Sequence, residues 1–168
     1  MSWALHRIDD RLIHGQVVVA WGQRMNPRRI WVVDDASAAN AWEAELLASS
    51  APGVEVRVMG VAEAAQGHAA EAALEGGAFL LVRDLATALA LVEAGARVSE
   101  FNVGGLHYAP GKDKVHEYVY LDGSDRAAAR ALLARGISLT VQDVPASRAL
   151  ALEALDPSVA TARTGPRE

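Results

Sequence analysis

The sequence predicts an α/β domain with a mostly parallel sheet that carries helices on both faces. Three observations predict it. Short apolar, β-branched runs alternate along the chain with alanine-rich runs, the order expected of strand–crossover–strand units. Two of these runs, Ile30-Trp31-Val32-Val33 and Ala78-Phe79-Leu80-Leu81-Val82, are apolar throughout, as strands buried on both faces are. The 168 residues suffice for one domain with a full hydrophobic core.

Residues 3–8 read as the first strand and 15–25 as the helix that follows. Residues 29–33 form the second strand, after which Ser37 offers an N-cap for a helix to about residue 48. In 54–59, Val54, Val56 and Val58 alternate with Glu55 and Arg57, the pattern of a strand with one solvated face. Residues 61–74 are helical by composition and 78–82 are a buried strand. Asp84 caps the next helix and Gly95 ends it. A short strand, 101–103, leads into a glycine-rich loop, 104–111. Residues 115–121 read as a strand, 124–135 as a helix stopped by Gly136, 137–141 as the last strand and 147–155 as a short final helix. The domain is expected to span 1–155. Residues 156–168 contain two prolines, a glycine and few apolar side chains, and read as a loose tail.

Composition narrows the function. The net charge of −5 argues against nucleic acid as a partner, because such proteins carry a basic face. With no cysteine, disulfides, thiolate metal sites and cysteine nucleophiles are excluded, in keeping with a reducing cytoplasm. The apolar runs are too short to span a bilayer, and the N-terminus has no secretory pattern.

In parallel α/β folds the working site lies beyond the carboxyl ends of the strands. That rule selects residues 9–14, 34–36, 83–84 and 102–108. The densest segment is Arg7-Ile8-Asp9-Asp10-Arg11-Leu12-Ile13-His14-Gly15-Gln16-Val17. It places His14 near a helix start at Gly15 and Gln16, where free amides and the helix dipole favour an anion such as phosphate. Arg11 offers a forked set of donors to phosphoryl oxygens. Asp9 and Asp10 are placed to orient Arg11 or the far ring nitrogen of His14. Asp34 and Asp35 end a buried strand, where they line the site, support the 9–11 loop, or simply close a turn. Gly104 and Gly105 let backbone approach a ligand closely, and beside them His107 is a second candidate for phosphate or partner contact. His6 in mid-strand, His68 on an exposed helix and His116 facing outward fall outside the chemistry. No two histidines have the spacing of metal ligands, so no metal is expected. Trp21, Trp31 and Trp42 occupy apolar positions expected in the core or at an interface.

The segment from Arg7 to Val17 resembles the phosphorylation-site segment of the mannose-family enzyme IIB of the bacterial sugar phosphotransferase system. The likeness continues through Val32-Val33-Asp34-Asp35, Ala51-Pro52-Gly53-Val54, Asn102-Val103-Gly104-Gly105-Leu106-His107-Tyr108 and Val144-Pro145, covering roughly residues 3–155. His6 departs from it, standing where the family usually has a small or aliphatic residue.

The resemblance implies a mainly parallel, seven-stranded sheet. It implies that His14 accepts a phosphoryl group, on Nδ1, from a phosphohistidine on a separate enzyme IIA. His14 would then pass the group to a sugar held by the membrane components IIC and IID, with Arg11 holding the phosphoryl group. It implies a cytoplasmic protein peripherally associated with the transporter. No cofactor is needed, because phosphohistidine is already a high-energy donor. Two other readings stay open: a regulatory phosphoprotein modified at His14 without sugar transport, and a small-anion-binding module. The sugar is not legible, because in such systems IIC and IID bind it.

Overall fold

The computed structural model describes residues 3–161. Its main sheet has seven strands: β1 (Trp3–Asp9), β2 (Arg29–Val33), β3 (Glu55–Met59), β4 (Ala78–Val82), β5 (Glu100–Gly105), β8 (Ser138–Val141) and β9 (Leu150–Ala151). They lie in the order β3-β2-β4-β1-β5-β8-β9. All neighbours are parallel except β8 and β9. The other two strands, β6 (Asp113–His116) and β7 (Val119–Leu121), pair antiparallel as a separate ribbon.

The expected sheet is therefore present, but its membership differs. The single strand expected over 115–121 is half of that ribbon, which folds back so that the Leu106 amide reaches the Tyr118 carbonyl. Its place in the sheet is taken by β9, inside the segment expected as a final helix, with only α7 (Leu152–Leu155) remaining helical. The helix expected from Ser37 is two helices, α2 (Asp35–Ala39) and α3 (Ala41–Ala48). Asp34 caps the first and Asn40 the second, each accepting a backbone amide at 3.1 Å. Ser37 instead lies inside α2 and is buried.

Strand alternation gives the sheet two apolar faces. Leu5, Ile30, Val32, Phe79 and Leu81 face one core with Val17, Trp21 and Ala51. Ile8, Trp31, Val33, Leu80 and Val82 face the other. Three helices cover that second face: α4 (Val61–Ala72), α5 (Leu85–Glu93) and α6 (Gly123–Ala134). They bring Ala64, Leu85, Ala88, Leu91, Ala129 and Leu132. Asp84 caps α5 as expected, and Gly95 follows it at φ +112°.

The first segment of the expected tail is docked. Asp156 pairs with Arg126 at 2.7 Å, and Val159, at the end of a 3-10 turn (Pro157–Val159), is fully buried. Residues 162–168 lie outside the described residues. No helix among the described residues is long and apolar enough to cross a membrane.

The chain leaves β1 towards β2 and leaves the adjacent β5 towards β8. Where neighbouring parallel strands send their continuations in opposite directions, a crevice opens beyond their carboxyl ends. Asp9 ends β1 and Gly105 ends β5, so the densest sequence motif falls at that crevice.

Candidate functional site

The floor of the crevice is polar and buried. Alternation places Arg7 and Asp9 on the same side of β1, and parallel pairing aligns Arg7 with Asn102 of β5. Arg7 has no exposed surface. Its guanidinium donates to Asp9 Oδ2 at 3.0 Å, to Asn102 Oδ1, and to the carbonyls of Gln142 at 3.1 Å and Asp143 at 3.0 Å. It also lies 5.6 Å from the Trp21 ring centroid, while the Trp21 indole donates to the Asp143 carbonyl at 2.8 Å. A Cβ on Gly104 would fall 1.8 Å from the Arg7 guanidinium carbon. Gly104 therefore makes room for a buried cation instead of exposing backbone to a ligand, and both Gly104 and Gly105 lie within β5 instead of the expected loop.

Asp9 distributes its two oxygens. Oδ2 accepts from Arg7 and, at 2.8 Å, from His14 Nε2; Oδ1 accepts the Arg11 amide at 3.1 Å. Burial by itself raises the Asp9 carboxyl, but the His14 hydrogen bond and the Arg7 charge outweigh it and hold the group below its ordinary value. A carboxylate only accepts, so His14 Nε2 carries a hydrogen, and in the neutral ring Nδ1 is then the nitrogen with the lone pair.

The backbone presents that ring at a helix start. The His14 carbonyl accepts from the Val17 and Val18 amides, each at 3.0 Å. The helix runs from Gln16 to Trp21 in π turns and continues as α1 (Gly22–Met25). Between Asp9 and His14 the chain reverses through Leu12, which is left-handed at φ +54° and donates its amide to the Asp9 carbonyl at 2.9 Å. That conformation costs roughly 1–2 kcal/mol for an L-residue. Burial of the Leu12 side chain, 1% exposed, offsets it.

Arg11 lies at the rim. Its side chain is 46% exposed, and its Nη2 donates to Gln16 Oε1 at 2.9 Å. Gly15 faces open space. Asp10 belongs to a second pair: its Oδ2 accepts the His107 amide at 2.8 Å and its Oδ1 meets His107 Nδ1 at 2.6 Å. Asp9 alone thus orients His14, and Asp10 orients His107. Gly105 sits between them; a Cβ there would be 3.5 Å from both Asp9 Oδ1 and His107 Cε1.

Asp34 reaches the loop indirectly. It lies 3.4 Å from Arg83, whose Nη1 donates to the Asp10 carbonyl at 3.2 Å. Asp35 instead accepts the Val61 amide at 2.8 Å and ties down the start of α4. Sequence reasoning selected the segment that begins at Asn102 but gave Asn102 no role, and it missed Arg7, Gln142 and Asp143 as parts of the site. For Arg7 the signal was present, since it shares strand parity with Asp9 two residues on.

Of the remaining histidines, His68 corrects the sequence reading. His68 is buried, not exposed, because α4 packs against β1. Its Nε2 is 2.9 Å from His6 Nε2, and its ring stacks on Trp3 at 4.8 Å. Burial pushes His6 down to about 3, with His68 adding to the effect. His116 packs edge-on against Tyr118 at 4.6 Å with its Nδ1 buried. Trp21 and Trp31 are buried as expected, whereas Trp42 on α3 is 74% exposed.

Residues 3–164 match the family model described as the PTS system sorbose subfamily IIB component. The chain is 39% identical over 145 residues to the PTS system mannose-specific EIIAB component of Escherichia coli K12, covering 86% of this chain and 45% of that protein. The chain thus spans about half the length of that relative. It is 32% identical over 160 residues to the PTS system sorbose-specific EIIB component of Klebsiella pneumoniae, covering 95% and 92% of the two chains. Among solved structures, the IIBSor domain of the Klebsiella pneumoniae sorbose permease superposes with a TM-score of 0.85 at 30% identity, covering 95% of this chain and 99% of that one. The N-acetylgalactosamine-specific IIB component 1 from Escherichia coli superposes with a TM-score of 0.79 at 33% identity, covering 86% and 95%.

Proposed function

Because the chain belongs to the sorbose-subfamily IIB components of the phosphotransferase system, we propose that it carries phosphoryl groups on His14 during sugar uptake. The supporting observation is the 2.8 Å bond between His14 Nε2 and Asp9 Oδ2. It occupies one ring nitrogen and leaves the lone pair of Nδ1 as the nucleophile. A buried carboxylate braced by a buried guanidinium fixes the ring in that orientation.

The donor is a phosphohistidine on an enzyme IIA. Its P–N bond breaks as a P–Nδ1 bond forms on His14, and no proton has to move. Charge spreads over the equatorial oxygens, so positioning and electrostatics do most of the work. Arg11 swings from Gln16 to those oxygens, where its planar fork gives paired, charge-assisted bonds. The group then passes to a sugar held by membrane components IIC and IID, at the cytoplasmic face of the transporter.

The test is intact mass after incubation with phosphorylated IIA. The chain should gain one acid-labile phosphoryl group and His14→Ala none; full labelling of His14→Ala overturns the assignment.

A further inference from the structure

We propose that His107 is a second catalytic histidine, the base that takes the proton of the acceptor hydroxyl when the phosphoryl group leaves His14. The inference rests on the carrier function proposed above and adds a residue to its second half-reaction.

The two aspartates at the end of β1 orient two histidines in opposite senses. Asp9 holds His14 through Nε2 and leaves Nδ1. Asp10 holds His107 through Nδ1 at 2.6 Å and leaves Nε2. Asp10 is itself fixed: its amide donates to the Gly105 carbonyl at 3.0 Å, and its carbonyl accepts from Arg83. Its second carboxylate oxygen takes the His107 amide. The His107 ring is therefore held at both ring and backbone, yet its side chain is 50% exposed. Its Cε1 and Asp9 Oδ1 each lie 3.5 Å from one point beside Gly105, so the two pairs share the crevice.

The two half-reactions differ in their protons. Transfer from one imidazole nitrogen to another releases none. Transfer to a hydroxyl does: the P–Nδ1 bond breaks with its electrons returning to His14, a P–O bond forms, and the O–H proton must leave. With Nδ1–H given to Asp10, the lone pair of His107 Nε2 accepts it. The imidazolium that results is stabilised by the Asp10 carboxylate and discharges to solvent.

The experiment separates the two steps in the full chain. Loading of His14 from phosphorylated IIA and discharge to sugar on membranes carrying IIC and IID are timed for wild type, His107→Gln and His107→Ala. The ratio of discharge to loading should fall on the order of 10- to 100-fold in both variants. The fall should persist at saturating membrane concentration, and added imidazole should restore discharge by His107→Ala. An unchanged ratio overturns the proposal, as does a loss that saturating membranes abolish or imidazole leaves untouched. If wild type fails to load, the carrier reading itself fails; if it loads but discharges to no sugar, transport fails and this proposal with it.

Discussion

Arg11 holds Gln16 at the rim of the crevice, nearly half exposed, which separates its contribution to transfer from its contribution to folding. Its carboxylate contact, Nε to Asp9 Oδ1, is long at 3.8 Å, and a pair made by so exposed a side chain contributes about 0–1 kcal/mol to stability, whereas a hydrogen bond to a charged phosphoryl oxygen is worth roughly 1.5–3 kcal/mol. Arg11→Ala should therefore slow loading from phosphorylated IIA on the order of 10- to 100-fold with little change in melting temperature. Arg11→Lys should recover part of the rate, since a point charge lacks the planar fork. Normal loading by folded Arg11→Ala would leave the phosphoryl group to the backbone amides. His6 makes the opposite kind of prediction. Burial drives it down to about 3 and lowers His68 as well. An unfolded histidine takes up its proton near pH 6.5 while the folded ring does not, so stability is complete above that pH and drains away as pH falls towards 3. Each unit is worth about 1.4 kcal/mol. His6→Phe should flatten the fall of melting temperature between about pH 6.5 and 4.5; parallel curves for wild type and variant would remove the histidine pair from the account.

Among the elements, the turn from Asp9 to His14 carries an unusual balance. Leu12 is both left-handed and buried. Leu12→Ala empties the pocket, at about 2–5 kcal/mol, and keeps the backbone penalty. Leu12→Gly empties the same pocket and removes most of that penalty. Glycine should thus be the milder replacement by about 1 kcal/mol, the reverse of the order in a helix; urea midpoints of the two variants decide it. The elements also show how far the sequence could be read. Strands 29–33 and 78–82 were legible to the residue, because each is a run enclosed by neighbours on both sides, apolar throughout in 78–82 and from Ile30 onward in 29–33. The break between α2 and α3 was not, because Ser37 and Asn40 are both good caps and the choice depends on Asp34 reaching Ser37. The ribbon of β6 and β7 was hidden because its turn, Glu117-Tyr118, has no Gly, Pro, Asn or Asp to mark it, and β9 because two residues carry no period.

For the molecule as a whole, strand–helix alternation and the carboxyl-end rule located the crevice, and the motif located His14, Arg11 and Asp9. Strand parity with Asp9 marked Arg7, but its partners were out of reach, since Asn102 and Gln142 lie 95 and 135 residues away. The docked segment after Leu155 was out of reach for a similar reason: one valine gives no pattern. A chain ending at Leu155 loses Val159 from the core and Asp156 from Arg126, and should be less stable by about 1.5–3 kcal/mol. A chain ending at Thr161 keeps both contacts and serves as the control. Equal urea midpoints would mean that the segment only rests on α6. The space where a Gly104 side chain would be, filled by the Arg7 guanidinium, also has a meaning in descent. Positions 7 and 104 should therefore change together: a Cβ at 104 requires the Arg7 guanidinium to leave its place, and a shorter residue 7 that makes the room gives up the counter-charge of Asp9.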